Sequence, residues 1–179
     1  MRQATWPSIF VLLSMLATSC SSTRLTASVG HDAMVDSSLP VDDMTAGGLE
    51  LSSGPEEGGF GFELGYRHSS GSSAGDKLEL GEVYVGPRYE WQLDRLRPFL
   101  AVGASLLDSD WRIGGVTQGG SLDLGWYASA GVDYQIMESL FLGLALRRTF
   151  NHFDAAPLFE DELDNVNAWQ LALRLGYSF

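Results

Sequence analysis

The sequence predicts an all-β protein, an antiparallel up-and-down transmembrane β-barrel of about eight strands. Three observations carry this prediction. Apolar residues recur at every second position over several long segments, which is the period of a β-strand with one apolar face. The connections between these segments alternate between short and long. The first residues form an apolar export signal that is too short to span a membrane as a helix.

The final segment, residues 169–179, shows the alternation most clearly. Its apolar face carries Trp169, Leu171, Leu173, Leu175, Tyr177 and Phe179, and its other face carries Gln170, Ala172, Arg174, Gly176 and Ser178. A soluble strand buries such an apolar face in a core, whereas a transmembrane strand turns it to lipid. A sequence that ends on this face with a phenylalanine fits the second arrangement.

The same alternation returns in segments 82–91, 97–107, 122–136 and 140–150. One face of each segment is large and apolar, and the other is small or charged. In a membrane barrel the charged faces point inward, so we expect their charges to pair across the lumen. These predicted lumenal residues are Glu82, Arg88, Glu90, Arg97, Asp123, Asp133, Arg147 and Arg174.

Alternation alone does not tell which face is inside, because the charged face of a soluble barrel is simply solvated. The connections favour the membrane barrel: segments 54–57, 94–97 and 137–139 are short, while 69–76, 108–121 and 151–165 are long and polar. Short turns at one end and long loops at the other are typical of bacterial outer-membrane barrels. On either side of the turn at 54–57, the segments 46–53 and 58–69 supply two earlier strands. Parity and a periplasmic N-terminus then require one more strand, which we place at 24–35.

The N-terminus predicts export. Residues 1–19 combine a positive start, an apolar run and a small-residue end, as in a secretory signal peptide, and residues 20–179 would form the barrel domain. The same stretch resembles a bacterial lipobox, in which Cys20 would be lipidated. Ordinary cleavage before Cys20 is the alternative. As Cys20 is the only cysteine, no internal disulfide is possible.

Charge and motifs exclude several function classes. The net charge of −12 argues against nucleic-acid binding, which needs clustered Lys and Arg. The acidic run at 159–165 fits a solvated loop, with cation binding as the less favoured alternative. The sequence has no Gly-rich phosphate loop, no metal-spaced His and Cys cluster and no GxSxG motif, so we expect no cofactor and no metal.

Segments 84–91, 96–106 and 125–150, together with the C-terminal alternation, resemble the small Gram-negative outer-membrane β-barrel superfamily (OmpA/OmpX-type, porin-family-like). The resemblance implies an outer-membrane protein that is recognised by the barrel-assembly machinery during biogenesis. Its surroundings would be outer-membrane lipid and lipopolysaccharide, and we expect a monomer. It also implies that Leu171, Leu173, Leu175, Tyr177 and Phe179 form the assembly signal.

One group of three residues, His68, Ser70 and Glu82, suggests a catalytic site. In a hairpin centred near Gly75, His68 would lie opposite Glu82, and Ser70 shares the face of His68. A histidine base, a serine nucleophile and an orienting glutamate can catalyse acyl transfer. The spacing resembles that of lipid A 3-O-deacylases. Against this, Gly71 replaces the asparagine that follows the serine in that family, and the alternation changes phase near Gly81.

The sequence therefore predicts a barrel without catalytic activity, whose role is envelope integrity or surface contact through its long loops. The lumen of an eight-stranded barrel is filled by side chains, which favours a plug over a pore. A lipid A deacylase that uses His68, Ser70 and Glu82 is the first alternative. A narrow channel is the second.

Overall fold

Hydrogen bonds between neighbouring strands close the chain into an eight-stranded antiparallel barrel. The structure is a computed structural model that describes residues 22–35, 41, 43–73, 75–113, 116–154 and 167–179. The strands are β1 (Ser22–Val35), β2 (Asp43–Gly54), β3 (Gly58–Ser73), β4 (Asp76–Trp91), β5 (Leu96–Ile113), β6 (Val116–Met137), β7 (Leu140–Asp154) and β8 (Asn167–Ser178). Within these ranges, none of the chain forms a helix long and apolar enough to cross a membrane.

Each strand pairs with the next one along the chain, and β8 closes the barrel by pairing with β1. The predicted fold class is therefore confirmed. The predicted strands at 24–35 and 46–53 are confirmed as β1 and β2, which are slightly longer than the sequence indicates. Because every strand has two neighbours, the closed barrel has no free edge at which another chain could pair.

Three connections are short and lie at one end, here called the short-turn end: residues 55–57, 92–95 and 138–139. At the opposite, extended end, two predicted long loops are wrong. Residues 69–76 and 108–121 are mostly strand, since β3 runs to Ser73 and β5 to Ile113 before the chain turns back. Gly- and Ser-rich segments can extend a ladder, because its hydrogen bonds need only the backbone.

The strands place apolar side chains outside and polar ones inside. The outward face forms a continuous apolar belt that includes Leu49, Leu64, Val85, Val102, Leu144 and Leu173. Aromatic side chains border the belt at both ends. At the short-turn end, Phe60, Tyr89 and Trp91 stack edge to face, with ring centroids 4.8 and 4.7 Å apart. Near the extended end lie Trp126, Phe150 and Trp169. An inverted polarity with aromatic borders is the arrangement of a barrel in lipid.

Candidate functional site

The barrel interior is filled by a network of ion pairs. Among the described residues, six arginines and six carboxylates on the lumenal face pair with one another, so their formal charges cancel. They are Arg24, Arg67, Arg88, Arg97, Arg147 and Arg174, with Asp32, Glu50, Glu63, Glu82, Glu90 and Asp133. Buried charges are tolerated when they are paired and hydrogen-bonded in this way.

Glu50 on β2 is the centre of the network. Its carboxylate accepts two hydrogen bonds from Arg174 of β8, at 2.7 and 3.1 Å, and one from Arg88 of β4, at 2.9 Å. The Tyr84 hydroxyl donates to the same carboxylate at 3.2 Å. Two guanidinium groups and a phenol, from β4 and β8, thus converge on one acid. Glu50 therefore links opposite walls of the barrel.

The network continues toward the short-turn end through Glu90 and Asp133. Arg24 lies 3.1 Å from each of these carboxylates, and Arg88 lies 3.1 Å from each as well. Arg97 adds a contact to Glu90 at 3.2 Å. A recess beside Arg24, Arg88 and Glu90, lined elsewhere by the ends of β2 and β3, has a volume of about 20 Å³, which is room for about one water molecule. The ion pairs therefore narrow the lumen at this end.

Toward the extended end, a second group of ion pairs surrounds Glu82. Its carboxylate contacts Arg67 at 2.7 Å and Arg147 at 3.1 Å. Arg67 also faces Asp32 at 3.4 Å, and Ser69 donates to that aspartate at 2.6 Å. Glu82 is 1% exposed. Its two cations thus compensate for the loss of its hydration shell.

Aromatic rings pack between the ion pairs, and glycines make room for them. The Arg147 guanidinium lies 3.7 Å from the centroid of the Tyr84 ring, within cation–π range. A Cβ atom at Gly65, opposite Tyr84, would lie 2.3 Å from that ring. Gly131 leaves space for Phe99 in the same way, with a Cβ approach of 2.5 Å. These glycines allow rings to lie flat against the barrel wall.

An apolar cluster closes the lumen at the extended end. It consists of the fully buried side chains Val41, Met44, Leu78, Leu80 and Leu107, with Met34 packed against them. This apolar cap was not predicted from the sequence. Its buried side chains present apolar surface to the lumen beyond the ion pairs.

The structure places the predicted lumenal charges on the inward face. Seven of them belong to the ion pairs described above, and Asp123 lies opposite Leu107 of the apolar cap, where it is half-buried. Sequence reasoning missed five further members, all on β1, β2 and β3: Arg24, Asp32, Glu50, Glu63 and Arg67. The same alternation marks them, since each lies two or four positions from another inward residue.

The structure does not assemble the predicted triad. His68 lies opposite Gly81, not Glu82, and Glu82 lies opposite Arg67. His68 is exposed on the outer wall, where Ser70 shares its face, whereas Glu82 is buried in the lumen between two arginines. The predicted pairing of His68 with Glu82 is therefore wrong by one residue. Ser70 instead lies opposite Glu79.

Some of the other predicted sites lie in the described part of the chain, and some lie outside it. Cys20, the signal peptide and the acidic run at 159–165 lie outside the described residues. The proposed assembly-signal residues Leu171, Leu173, Leu175, Tyr177 and Phe179 all project outward from the C-terminal segment. In the part of the chain that the structure describes, no group of three or more His, Cys, Asp or Glu side chains is placed to hold a metal ion.

Comparison with known proteins adds information only about the fold. No protein-family model matches the chain, and no curated protein matches it either. Among solved structures, Neisserial surface protein A is similar with a TM-score of 0.72 and 16% identity, over 89% of this chain and 99% of that one. The chain has the fold of the small outer-membrane β-barrels.

Two other proteins of this fold have different roles. The attachment invasion locus protein Ail of Yersinia pestis matches this chain with a TM-score of 0.61 and 12% identity, over 88% of this chain and 98% of that one. The outer membrane enzyme PagL matches with a TM-score of 0.50 and 17% identity, over 86% and 98%. The fold thus accommodates both enzymes and surface proteins.

Proposed function

We propose that this protein spans the outer membrane of a Gram-negative bacterium as a sealed, non-conducting barrel without catalytic activity, and that it supports envelope integrity or contacts partners through its extended end. The observation that carries the proposal is the filled interior. Ion pairs occupy the lumen from Arg97 to Asp32, and the apolar cap closes it above them. Within the described residues, such an interior favours a filled lumen over a water column or an open ligand site.

The outer surface supports the membrane placement. Outward leucine, valine and aromatic side chains form a belt that would be unstable in water, since contiguous apolar patches of this extent are rare on soluble monomers. A closed barrel satisfies all its backbone hydrogen bonds internally, which is the requirement for crossing a bilayer with strands. The similar solved structures are described as outer-membrane or surface proteins.

The extended end is the part that fits a contact role. Beyond the belt, the outward faces of β1 to β5 turn polar and present the exposed ion pairs His31–Asp43 and Lys77–Glu79. Arg112 and Asp110 are exposed on the β5 extension. These groups project past the membrane boundary, on hairpins whose paired strands hold them in place.

We expect the purified protein to show little stable conductance in planar lipid bilayers. The ion pairs and the apolar cap of the described residues fill the lumen, so ion passage would require these side chains to move apart. Single-channel recording tests this, with a known porin as the positive control and protein-free detergent as the negative one. Large and regular current steps would establish the narrow-channel alternative instead.

Lipid A is expected to be identical in cells that express the wild type and cells that express Ser70→Ala. Glu82 is held in the lumen by Arg67 and Arg147, so it cannot orient His68 toward Ser70 on the outer wall. Mass spectrometry of extracted lipid A measures this, and Ser72→Ala, on the same face of β3, is the matched control. Loss of a hydroxyacyl chain with the wild type and Ser72→Ala, but not with Ser70→Ala, would show that the barrel is a deacylase.

A further inference from the structure

Arg148 is a cation on the outer wall of the barrel. The alternation along β7 points Arg147 into the lumen and Arg148 outward. Arg148 lies opposite Trp169 of β8 in the strand register, near the extended end of the apolar belt. Its guanidinium lies 5.0 Å from the centroid of the Trp169 ring and 5.2 Å from that of Phe150. The two aromatic side chains thus hold the charged group against the wall.

Arg148 differs from the six lumenal arginines in its ion pairs. Each of the six contacts at least one carboxylate, but no described carboxylate forms an ion pair with Arg148. Its Nε atom is buried without a hydrogen-bond partner among the described residues, as is the Nε atom of each lumenal arginine. Cation–π contacts position a guanidinium without satisfying its five N–H donors. A cation beside hydrocarbon with no carboxylate partner among the described residues is unfavourable, so an anion would stabilise this position.

We propose that Arg148, Trp169 and Phe150 form a binding site for a phosphate group of lipid A in the outer leaflet. This inference rests on the proposed outer-membrane placement. A guanidinium matches phosphate geometry through paired hydrogen bonds. Interfacial aromatic residues lie at the level of the lipid headgroups, which is the depth of lipid phosphates. The extended end would face the outer leaflet, where lipid A is the anionic lipid.

The partly exposed rings complete the site. Trp169 is 42% exposed and Phe150 is 36% exposed, so both retain surface that can contact the sugar or the upper acyl chains of the lipid. Ala128 lies opposite Arg148 on β6, and its small side chain leaves the guanidinium open from that direction. The site therefore combines a charged group for phosphate with apolar surface for the rest of the lipid.

Native mass spectrometry of the full-length barrel, released from phosphatidylcholine nanodiscs doped with lipid A, tests the proposal. We expect Arg148→Gln to weaken retention of lipid A about tenfold, because charge-assisted hydrogen bonds are lost. The control Arg112→Gln removes an exposed arginine beyond the belt and is expected to leave retention unchanged. Lipid A stripped of its phosphates is expected to bind the wild type as weakly as intact lipid A binds Arg148→Gln.

Three results would overturn the assignment: equal retention by Arg148→Gln and the wild type, equal retention of intact and dephosphorylated lipid A, or equal retention of phosphatidylglycerol and lipid A. The gel mobility of unheated samples, which is that of a folded barrel, is checked for each variant. A wild type that enters nanodiscs but shows no preference for lipid A contradicts this inference alone. A wild type that does not enter them contradicts the proposed function.

Discussion

Replacing Glu50 with leucine is expected to destabilise the folded barrel by about 3–5 kcal/mol, the range for removing one partner from a buried ion pair. Glu50 accepts hydrogen bonds from Arg88, Arg174 and Tyr84. Leucine has a similar volume but no acceptor, so Asp133, at 3.3 Å, is the one carboxylate among the described residues that Arg174 still contacts. The free energy of unfolding, measured by urea titration in lipid vesicles, reports the change.

The matched control is Glu79→Leu. Glu79 forms an exposed ion pair with Lys77 at the extended end, and pairs of this kind contribute little to stability, so we expect no measurable change. The double variant Glu50→Leu, Arg174→Leu should recover part of the lost free energy of unfolding. It removes Arg174, which would otherwise be buried without its Glu50 partner. Equal effects of Glu50→Leu and Glu79→Leu would contradict the view that ion pairs hold the interior together.

The fold could be predicted from the sequence because a period of two, repeated over long segments, fixes which residues share a face. On β8 the alternation from Trp169 to Tyr177 places each side chain on the side that the structure shows. β5 and β7 follow the same rule, with Leu100 outside and Phe99 inside, and Leu144 outside and Arg147 inside. A barrel that faces lipid imposes this pattern at every position of the belt.

The triad could not be judged from the pattern, because it depended on the register of one hairpin. A turn centred on Gly75 pairs His68 with Glu82, whereas the observed turn pairs His68 with Gly81. Cross-strand partners point to the same side of a sheet, so a one-residue shift moves a side chain to the other face. Glu82 consequently lies inside with Arg67, and His68 lies outside.

The apparent change of phase near Gly81 has a physical cause that only the structure reveals. β4 continues without interruption through this point, and Leu78 and Leu80 point inward while Val83 and Val85 point outward. Above the belt the outer face meets water and the inner face forms the apolar cap, as in a soluble barrel. Below it the polarity is inverted. In the proposed membrane placement, the switch in hydrophobicity marks where the strand leaves the bilayer.

The partners within the lumen also required the structure. The sequence indicates that Arg88, Arg147 and Arg174 point inward, but not that Arg174 contacts Glu50, which lies 124 residues earlier in the chain. Pairing across the lumen depends on the tilt of the strands and the closure of β8 on β1. Neither can be derived from the alternation within a single strand.

Leu173→Arg is expected to destabilise the barrel in lipid by about 2–4 kcal/mol, the range for an arginine on the lipid face at the bilayer midplane. Leu173 lies midway along β8 and is flanked on the outer wall by Val29 and Leu144. Its side chain is 55% exposed. In a soluble barrel, an exposed substitution of this kind would change stability by at most about 0.5 kcal/mol.

The free-energy cost of an outward arginine depends on its depth in the bilayer. Comparing Leu173→Arg with an arginine beyond the belt therefore tests which face of the barrel contacts lipid. Ser72→Arg places the same charge on the exposed outer face of β3, beyond the belt at the extended end, where the expected loss is about 0–1 kcal/mol because water solvates the guanidinium. Urea unfolding in phosphatidylcholine vesicles measures both variants. A Leu173→Arg barrel as stable as Ser72→Arg would show that the apolar belt does not contact hydrocarbon. A large difference would show that the midpoint of β8 lies in the bilayer core and that residue 72 lies in water.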